Sequence, residues 1–180
     1  MRYFAHTVDG RLDQGQCLAE HLVNVSQGAK RRAAAAMPAR AGVAVAAETA
    51  GLLHDVGKYR DGFINYLNGG TVAESERYHK QAGAAWAESL ELRPVVTAIL
   101  GHHGGMPDNH EIEDFLKGGA GRPTAAKIRD RAVADCPFLG DLKSRLSKDF
   151  DDFGSKPSPN PLCKCMSAVG PFRFMAFREP

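Results

Sequence analysis

Gly51-Leu52-Leu53-His54-Asp55-Val56-Gly57-Lys58 is the stretch whose reading decides the rest of the chain. An apolar run leads directly into an adjacent histidine and aspartate. The ionisable pair therefore sits at the mouth of a core and not on a wet helix face. One imidazole and one carboxylate can serve the same cation, and the second carboxylate oxygen can reach another. Gly57 is expected to relieve the backbone where the helix ends. Lys58 is expected to turn its positive charge back towards the same pocket.

Working outward, the other histidines fall into an order. His102-His103-Gly104-Gly105 ends a segment that opens near Pro94. Adjacent residues on a regular helix diverge by about 100°, so two neighbouring histidines meet one ion only where the backbone turns at a helix end. His21 and His79 are weak signals alone and gain weight from the series His21, His54-Asp55, His79, His102-His103. Five imidazoles and a carboxylate are enough for two ions if water completes their shells. His6 and His110 have no such support and are read as non-ligands.

Around these residues the pattern is helical. Leu18 to Arg32 carries Leu18, Leu22 and Val25 on one face. Arg40 to His54 is rich in Ala, Val and Leu and reads as a buried helix. A loop with Asn68-Gly69-Gly70 at its tip separates it from a helix over His79 to Leu90, with Ala82, Ala85 and Trp86 on one side. Pro94 suits a first helical turn, and Gly104-Gly105 suits its stop. Asp108-Asn109-His110-Glu111 is a capping box with Asp in the usual Ser or Thr place. Two more helices are expected over Pro123 to Asp135 and Phe138 to Phe150. No run alternates as a strand does. Gly154 to Pro161 is a proline-rich linker, and Pro171 to Pro180 reads as a helix cut short. The expected division is a catalytic domain over 1–153 and a linker with the start of a truncated helix over 154–180.

Composition narrows the classes. With 180 residues, 43% apolar, the chain has the size and core of one globular domain. A net charge of +2 gives no strong global field towards nucleic acid or membrane, though a local groove can still be basic. Pro38, Arg40 and Glu48 interrupt the most apolar stretch and argue against a membrane span. Asp9, Arg11 and Asp13 argue against a signal peptide, so a soluble, cytoplasmic protein is expected. Cys17, Cys136, Cys163 and Cys165 lack the spacing of a disulfide framework or a zinc finger.

The ordered set resembles the HD superfamily of metal-dependent phosphohydrolases, and more narrowly the HD nuclease domain of the type I CRISPR-associated helicase-nuclease. The strings that carry the likeness are Phe4-Ala5-His6-Thr7, Glu20-His21-Leu22, Gly51 to Lys58, Tyr59-Arg60-Asp61-Gly62-Phe63, His79-Lys80-Gln81-Ala82-Gly83-Ala84 and Gly101 to Gly105. The resemblance implies an all-α HD-domain helical bundle with a metal site between helices. It implies one ion on His21, His54 and Asp55, and another on Asp55, His79, His102 and His103. Lys58 would lie by the reacting phosphate, which makes Asp55 and Lys58 the expected catalytic residues. The family's further aspartate follows a Phe-Met-Ala string. Phe174-Met175-Ala176 is present here, but no aspartate follows it, so the first ion is expected to lack a ligand.

The activity so implied is hydrolysis of phosphodiester bonds in DNA, preferably single-stranded, within type I CRISPR interference. The implied partners are single-stranded DNA, a helicase domain in the same or a separate chain, and a CRISPR RNA-guided surveillance complex, with no membrane. Imidazole-rich shells suit manganese, iron, cobalt or nickel better than magnesium. Lys30-Arg31-Arg32, Arg60, Lys80 and Arg122 are candidate phosphate contacts, each more simply a solvated charge. Two rivals remain: an HD phosphohydrolase of nucleotides or cyclic dinucleotides, and a metal-impaired, non-catalytic module.

Overall fold

The stretch that is apolar all round becomes the central helix. The computed structural model describes residues 2–12, 14–117, 125–140 and 142–149. Helix α2 (Ala41–Leu53) buries Ala44, Thr49, Leu52 and Leu53, because a helix with no polar face has to be surrounded. Helix α1 (Leu18–Ala36) lies along it and buries Leu18, Leu22 and Ser26, one residue per turn. Each of those leucines, fully removed from water, contributes about 1.5–3 kcal/mol relative to exposure.

The chain continues through a 3-10 turn (Val56–Tyr59), α3 (Asp61–Leu67), α4 (Glu74–Arg77), α5 (Lys80–Ser89), α6 (Arg93–Gly101) and α7 (Asn109–Leu116). After these come α8 (Ala125–Asp135), a second 3-10 turn (Pro137–Leu139) and α9 (Leu142–Asp149). Helices α5 and α6 pair with each other, and α2 touches α5, α6 and α9. The architecture is an all-α bundle, and the described residues contain only two isolated bridges, Phe4 with Cys17 and Val8 with Arg11. No helix among them is long and apolar enough to cross a membrane.

Helix α8 braces the turn that follows α2. Fully buried Tyr59 donates its hydroxyl to Asp135 at 2.8 Å, and Arg131 donates to the Tyr59 carbonyl at 3.0 Å. Burial, with the Asp135 carboxylate beside it, pushes the Tyr59 hydroxyl far up in pKa. Arg131 and Lys127 also grip Asp61 at 2.7 and 2.9 Å. The backbone carrying Lys58 is thus pinned on its far side.

Several local expectations change. The loop expected after residue 54 contains two short helices, α3 and α4. Their apolar residues are too few to show a period, and Phe63 is the only one buried there. In α5 the inward residues are Ala82, Gly83, Ala84 and Ala87, while Ala85 and Trp86 are half-buried. Helix α6 stops at Gly101, short of the two glycines, and the turn closes with Gly105 N–H on the Gly101 carbonyl at 3.0 Å. The single helix expected over 138–150 starts later: the second 3-10 turn takes Pro137–Leu139, and α9 covers Leu142–Asp149. The Asp108–Glu111 capping box forms as read, with both of its hydrogen bonds. The linker and the stretch over 171–180, including Phe174-Met175-Ala176, lie outside the described residues.

Candidate metal centre

Two helices end at the same place, and each ends on a histidine. His54 caps α2 and His102 caps α6, both in right-handed helical conformation. The last carbonyls of a helix have no partner inside it. Here the rings supply one: His54 Nδ1 lies 2.8 Å from the Gly51 carbonyl, and His102 Nδ1 lies 2.5 Å from the Ile99 carbonyl. A carbonyl only accepts, so each Nδ1 carries the hydrogen and each Nε2 presents a lone pair. The negative ends of both helix dipoles meet here, with the two ring centres 5.3 Å apart, which favours a cation.

The remaining rings join from other directions. His21 enters from the first turn of α1, with Nδ1 3.1 Å from Gln16 Oε1. His79 sits just before α5, with Nδ1 3.2 Å from the Arg77 carbonyl. His103 follows His102, and their ring centroids are 4.0 Å apart. The turn at the end of α6 therefore does let two adjacent histidines converge.

Two close approaches make this convergence possible. A Cβ at Gly57 would collide with the backbone of His79, and one at Gly83 would collide with the Leu53 carbonyl. Gly57 does not take a left-handed conformation to end α2. Its role is the missing side chain, which lets the 3-10 turn lie against His79.

Asp55 is the centre, with 2% of its surface exposed. Its Oδ2 lies 3.3 Å from both His21 Nε2 and His54 Nε2, and 2.8 Å from Lys58 Nζ. Its Oδ1 lies 3.2 Å from His79 Nε2 and 3.5 Å from His102 Nε2. Burial would raise this carboxyl, but hydrogen bonds from His102, His21, His54 and His79, which these rings give only when Nε2 also carries a hydrogen, outweigh it and hold the group well below the ordinary carboxylate range. His103 is exposed as a residue, but its ring lies against those of His79 and His102. Partial desolvation there, then the two rings' charge, push it down to about 4, so it is neutral at pH 7, the form that ligates metal.

These donors fit divalent metal ions. Nε2 atoms stand 3.2 Å apart in His21 and His54, and 2.8 Å apart in His79 and His103. Two nitrogens about 2.1 Å from one ion, at right angles, would be about 3.0 Å apart. Asp55 Oδ1 and His102 Nε2 are buried without a hydrogen-bond partner. Bare lone pairs gathered around a carboxylate repel each other unless positive charge lies between them. The donors form two groups, His21–His54–Asp55 and Asp55–His79–His102–His103, each with its ligand atoms within 4.8 Å of one another.

With this geometry in place, comparison with known families matches the HD domain over residues 18–136. The chain belongs to the HD-domain family. Searches of curated proteins and of solved structures found no match. Members of the HD family are typically metal-dependent hydrolases, and the cluster between the helices of this HD domain has the donor set such chemistry needs.

The HD fold brings His21, His54, Asp55, His79, His102 and His103 together, with Lys58 at their edge. Lys58 also donates to the Ala5 carbonyl at 2.8 Å and lies 5.5 Å from the Phe63 ring centre. His6 stands outside both groups, with its ring centre 6.4 Å from that of His21. His110 pairs with Asp114 on an exposed face of α7. Several candidate phosphate contacts have internal partners: Lys30 pairs with Glu48 at 2.8 Å, Arg60 donates to the Ser75 and Tyr78 carbonyls, and Lys80 donates to Leu100 at 2.9 Å. Arg122 lies outside the described residues.

Sequence reasoning missed Gln16, the Ala5 carbonyl and Phe63, whose ring packs 5.4 Å from that of His79. Phe63 and Ala5 lie within the strings that carry the resemblance but had no assigned role. Gln16 carries no sequence signal, because a loop side chain gains its partner only through folding.

Proposed function

We propose that this HD domain hydrolyses phosphodiester bonds in DNA, single-stranded in preference to duplex, with two divalent transition-metal ions. The observation that carries the reading is the split of one buried carboxylate: Asp55 turns Oδ2 to His21 and His54, and Oδ1 to His79 and His102. Such a pair of ions, when bound, neutralises charge on a phosphate and lowers the pKa of a water. Asp55 holds the two groups at a fixed separation. Lys58, anchored between Asp55 and Ala5, offers its ammonium to the charge that grows on a phosphate oxygen. The Nδ1–H groups of His21, His54, His79 and His102 donate to their oxygen partners, which leaves Nε2 of each neutral ring as the ligand side.

An extended strand is favoured over a small nucleotide because, among the described residues, one side of the cluster is open. His103, Gly104, Gly105 and Met106 are all exposed. The narrower setting, a cytoplasmic protein with a helicase domain and a CRISPR RNA-guided surveillance complex as partners in antiviral defence, rests on the strings quoted above. The test is incubation with single-stranded DNA, duplex DNA and a panel of nucleotides and cyclic dinucleotides, each with manganese, nickel, cobalt or magnesium and without metal. Expected is metal-dependent cleavage of single-stranded DNA, abolished in His54→Ala. Hydrolysis of small nucleotides with intact DNA would replace this reading with the nucleotide phosphohydrolase. Metal binding with no hydrolysis of any substrate would point to a non-catalytic module.

A further inference from the structure

Among the described residues, four rings of the cluster have an Nδ1 partner, and three of these partners are backbone carbonyls: Gly51 for His54, Arg77 for His79 and Ile99 for His102. His21 differs, since it is held by a side chain, Gln16, at 3.1 Å. Gln16 belongs to the segment ahead of α1, which lies outside the family match at residues 18–136. That segment is a folded strap. It reverses at Asp9-Gly10, both at positive φ, and Val8 and Arg11 exchange backbone hydrogen bonds of 3.1 and 2.8 Å. Its two arms are tied by Ala5 N–H to the Gln16 carbonyl at 3.0 Å, and the strap is tied to the start of α1 by Leu18 N–H to the Tyr3 carbonyl at 2.9 Å. The same strap supplies the Ala5 carbonyl that takes Lys58.

We infer that Gln16 is a positioning residue for His21, and that through it the strap sets the metal affinity of the His21–His54–Asp55 group. The amide oxygen accepts from Nδ1 and so keeps the ring hydrogen there. The Nε2 lone pair is then left facing His54 Nε2 at 3.2 Å and Asp55 Oδ2 at 3.3 Å, where an ion would draw on it. Without that acceptor the ring can rotate, or carry its hydrogen on Nε2 and donate it to Asp55, which removes a ligand. The inference rests on the reading that the cluster holds metal. Loss of an outer acceptor of this kind lowers metal affinity about 10–100-fold. The loss should fall on one group, because the other rings take backbone acceptors or lie away from the strap.

The experiment is manganese titration calorimetry on the whole chain for wild type, Gln16→Leu, Gln16→Glu, His21→Ala and the double variant Gln16→Leu/His21→Ala. Gln16→Leu should weaken, about 10–100-fold, the same binding event that His21→Ala removes, and should leave the other unchanged. Gln16→Glu should restore it, since a carboxylate accepts the same hydrogen. Gln16→Leu should add nothing in the His21→Ala background. Nitrogen-15 spectra of the metal-free protein should show His21 moving from the Nδ1–H form in wild type to a mixture in Gln16→Leu. The inference is overturned if Gln16→Leu binds manganese as wild type does. It is also overturned if both events weaken equally together with a lower Tm, or if the two substitutions add. Wild-type protein that takes up no manganese overturns the metal reading instead, and the spectra then decide the role of Gln16 on their own.

Discussion

His21 and His54 meet Asp55 Oδ2 from the start of α1 and the end of α2, the two helices that form the core of the bundle. His79, His102 and His103 gather on the Oδ1 side from the start of α5 and the end of α6, and His103 is exposed. The first group has three donor residues and Lys58 beside it, and the second has four donors and an open side. More donors on one ion mean tighter binding, whereas a buried setting with a nearby ammonium opposes added positive charge. The second group should therefore fill first, and the first should decide when both are occupied.

The widest break in this comparison comes from the residue the two groups share. Asp55→Ala should remove both ions and lower cleavage by more than the roughly 100-fold typical of outer-shell losses. Elemental analysis showing one ion per chain retained would mean the groups do not depend on a common carboxylate.

Single-ring changes should separate the halves. His54→Ala should abolish cleavage while the tighter manganese event survives in calorimetry. His103→Ala, which removes a donor but leaves Asp55, His79 and His102 in place, should weaken the tighter event by at least the roughly 10–100-fold of an outer-acceptor loss and leave part of the activity. If His54→Ala instead removes the tighter event, the order of filling given above is reversed.

Gly83→Ala tests how firmly the halves are set against each other. The added Cβ presses on the Leu53 carbonyl, one residue before His54, from the helix that follows His79. Overpacking of this kind costs about 1–3 kcal/mol, read as a lower Tm in thermal unfolding. Both manganese events should loosen together. An unchanged Tm with unchanged binding would show that the contact is easily relieved.

The smallest effect should be the pH dependence of the metal-free protein. His103 has a folded pKa of about 4, below the ordinary 6.5. The unfolded chain thus binds a proton first as pH falls, and stability should decline from about pH 6.5 to about pH 4. Asp55, also depressed, adds a loss in the same direction at lower pH, as its carboxylate becomes protonated. His103→Gln should flatten the decline over the upper window, measured by urea unfolding at several pH values. An equally steep decline in that variant would assign the proton uptake to other rings.

Much of this was legible before any coordinates. The all-α class followed from the apolar periodicity of 18–32, the uniformly apolar run of 40–54 and the lack of alternating runs, and the capping box at Asp108–Glu111 formed as read. The six cluster residues were nameable because His-Asp and His-His pairs at helix ends leave local marks, and family resemblance ordered the others. Helix α3 was not legible, since seven residues with one buried side chain carry too little pattern. The role of Gly57 was read for the wrong reason, because a backbone conformation is a local property and a clash with His79 is not.

The sequence by itself determined the helical class and which residues are candidate ligands: residue type and local spacing mark His54-Asp55 and His102-His103, and the resemblance adds His21 and His79. Only the tertiary structure decided that Asp55 turns one oxygen to each group, that Gln16 rather than a carbonyl holds His21, and that α8 braces the turn behind Lys58. The physical reason is the range of the interactions. Helix periodicity and caps act within about four residues. The contacts that aim a side chain join segments 33 residues apart, as in His21 with His54, or 72 apart, as in Arg131 with Tyr59, and exist only once the bundle has closed.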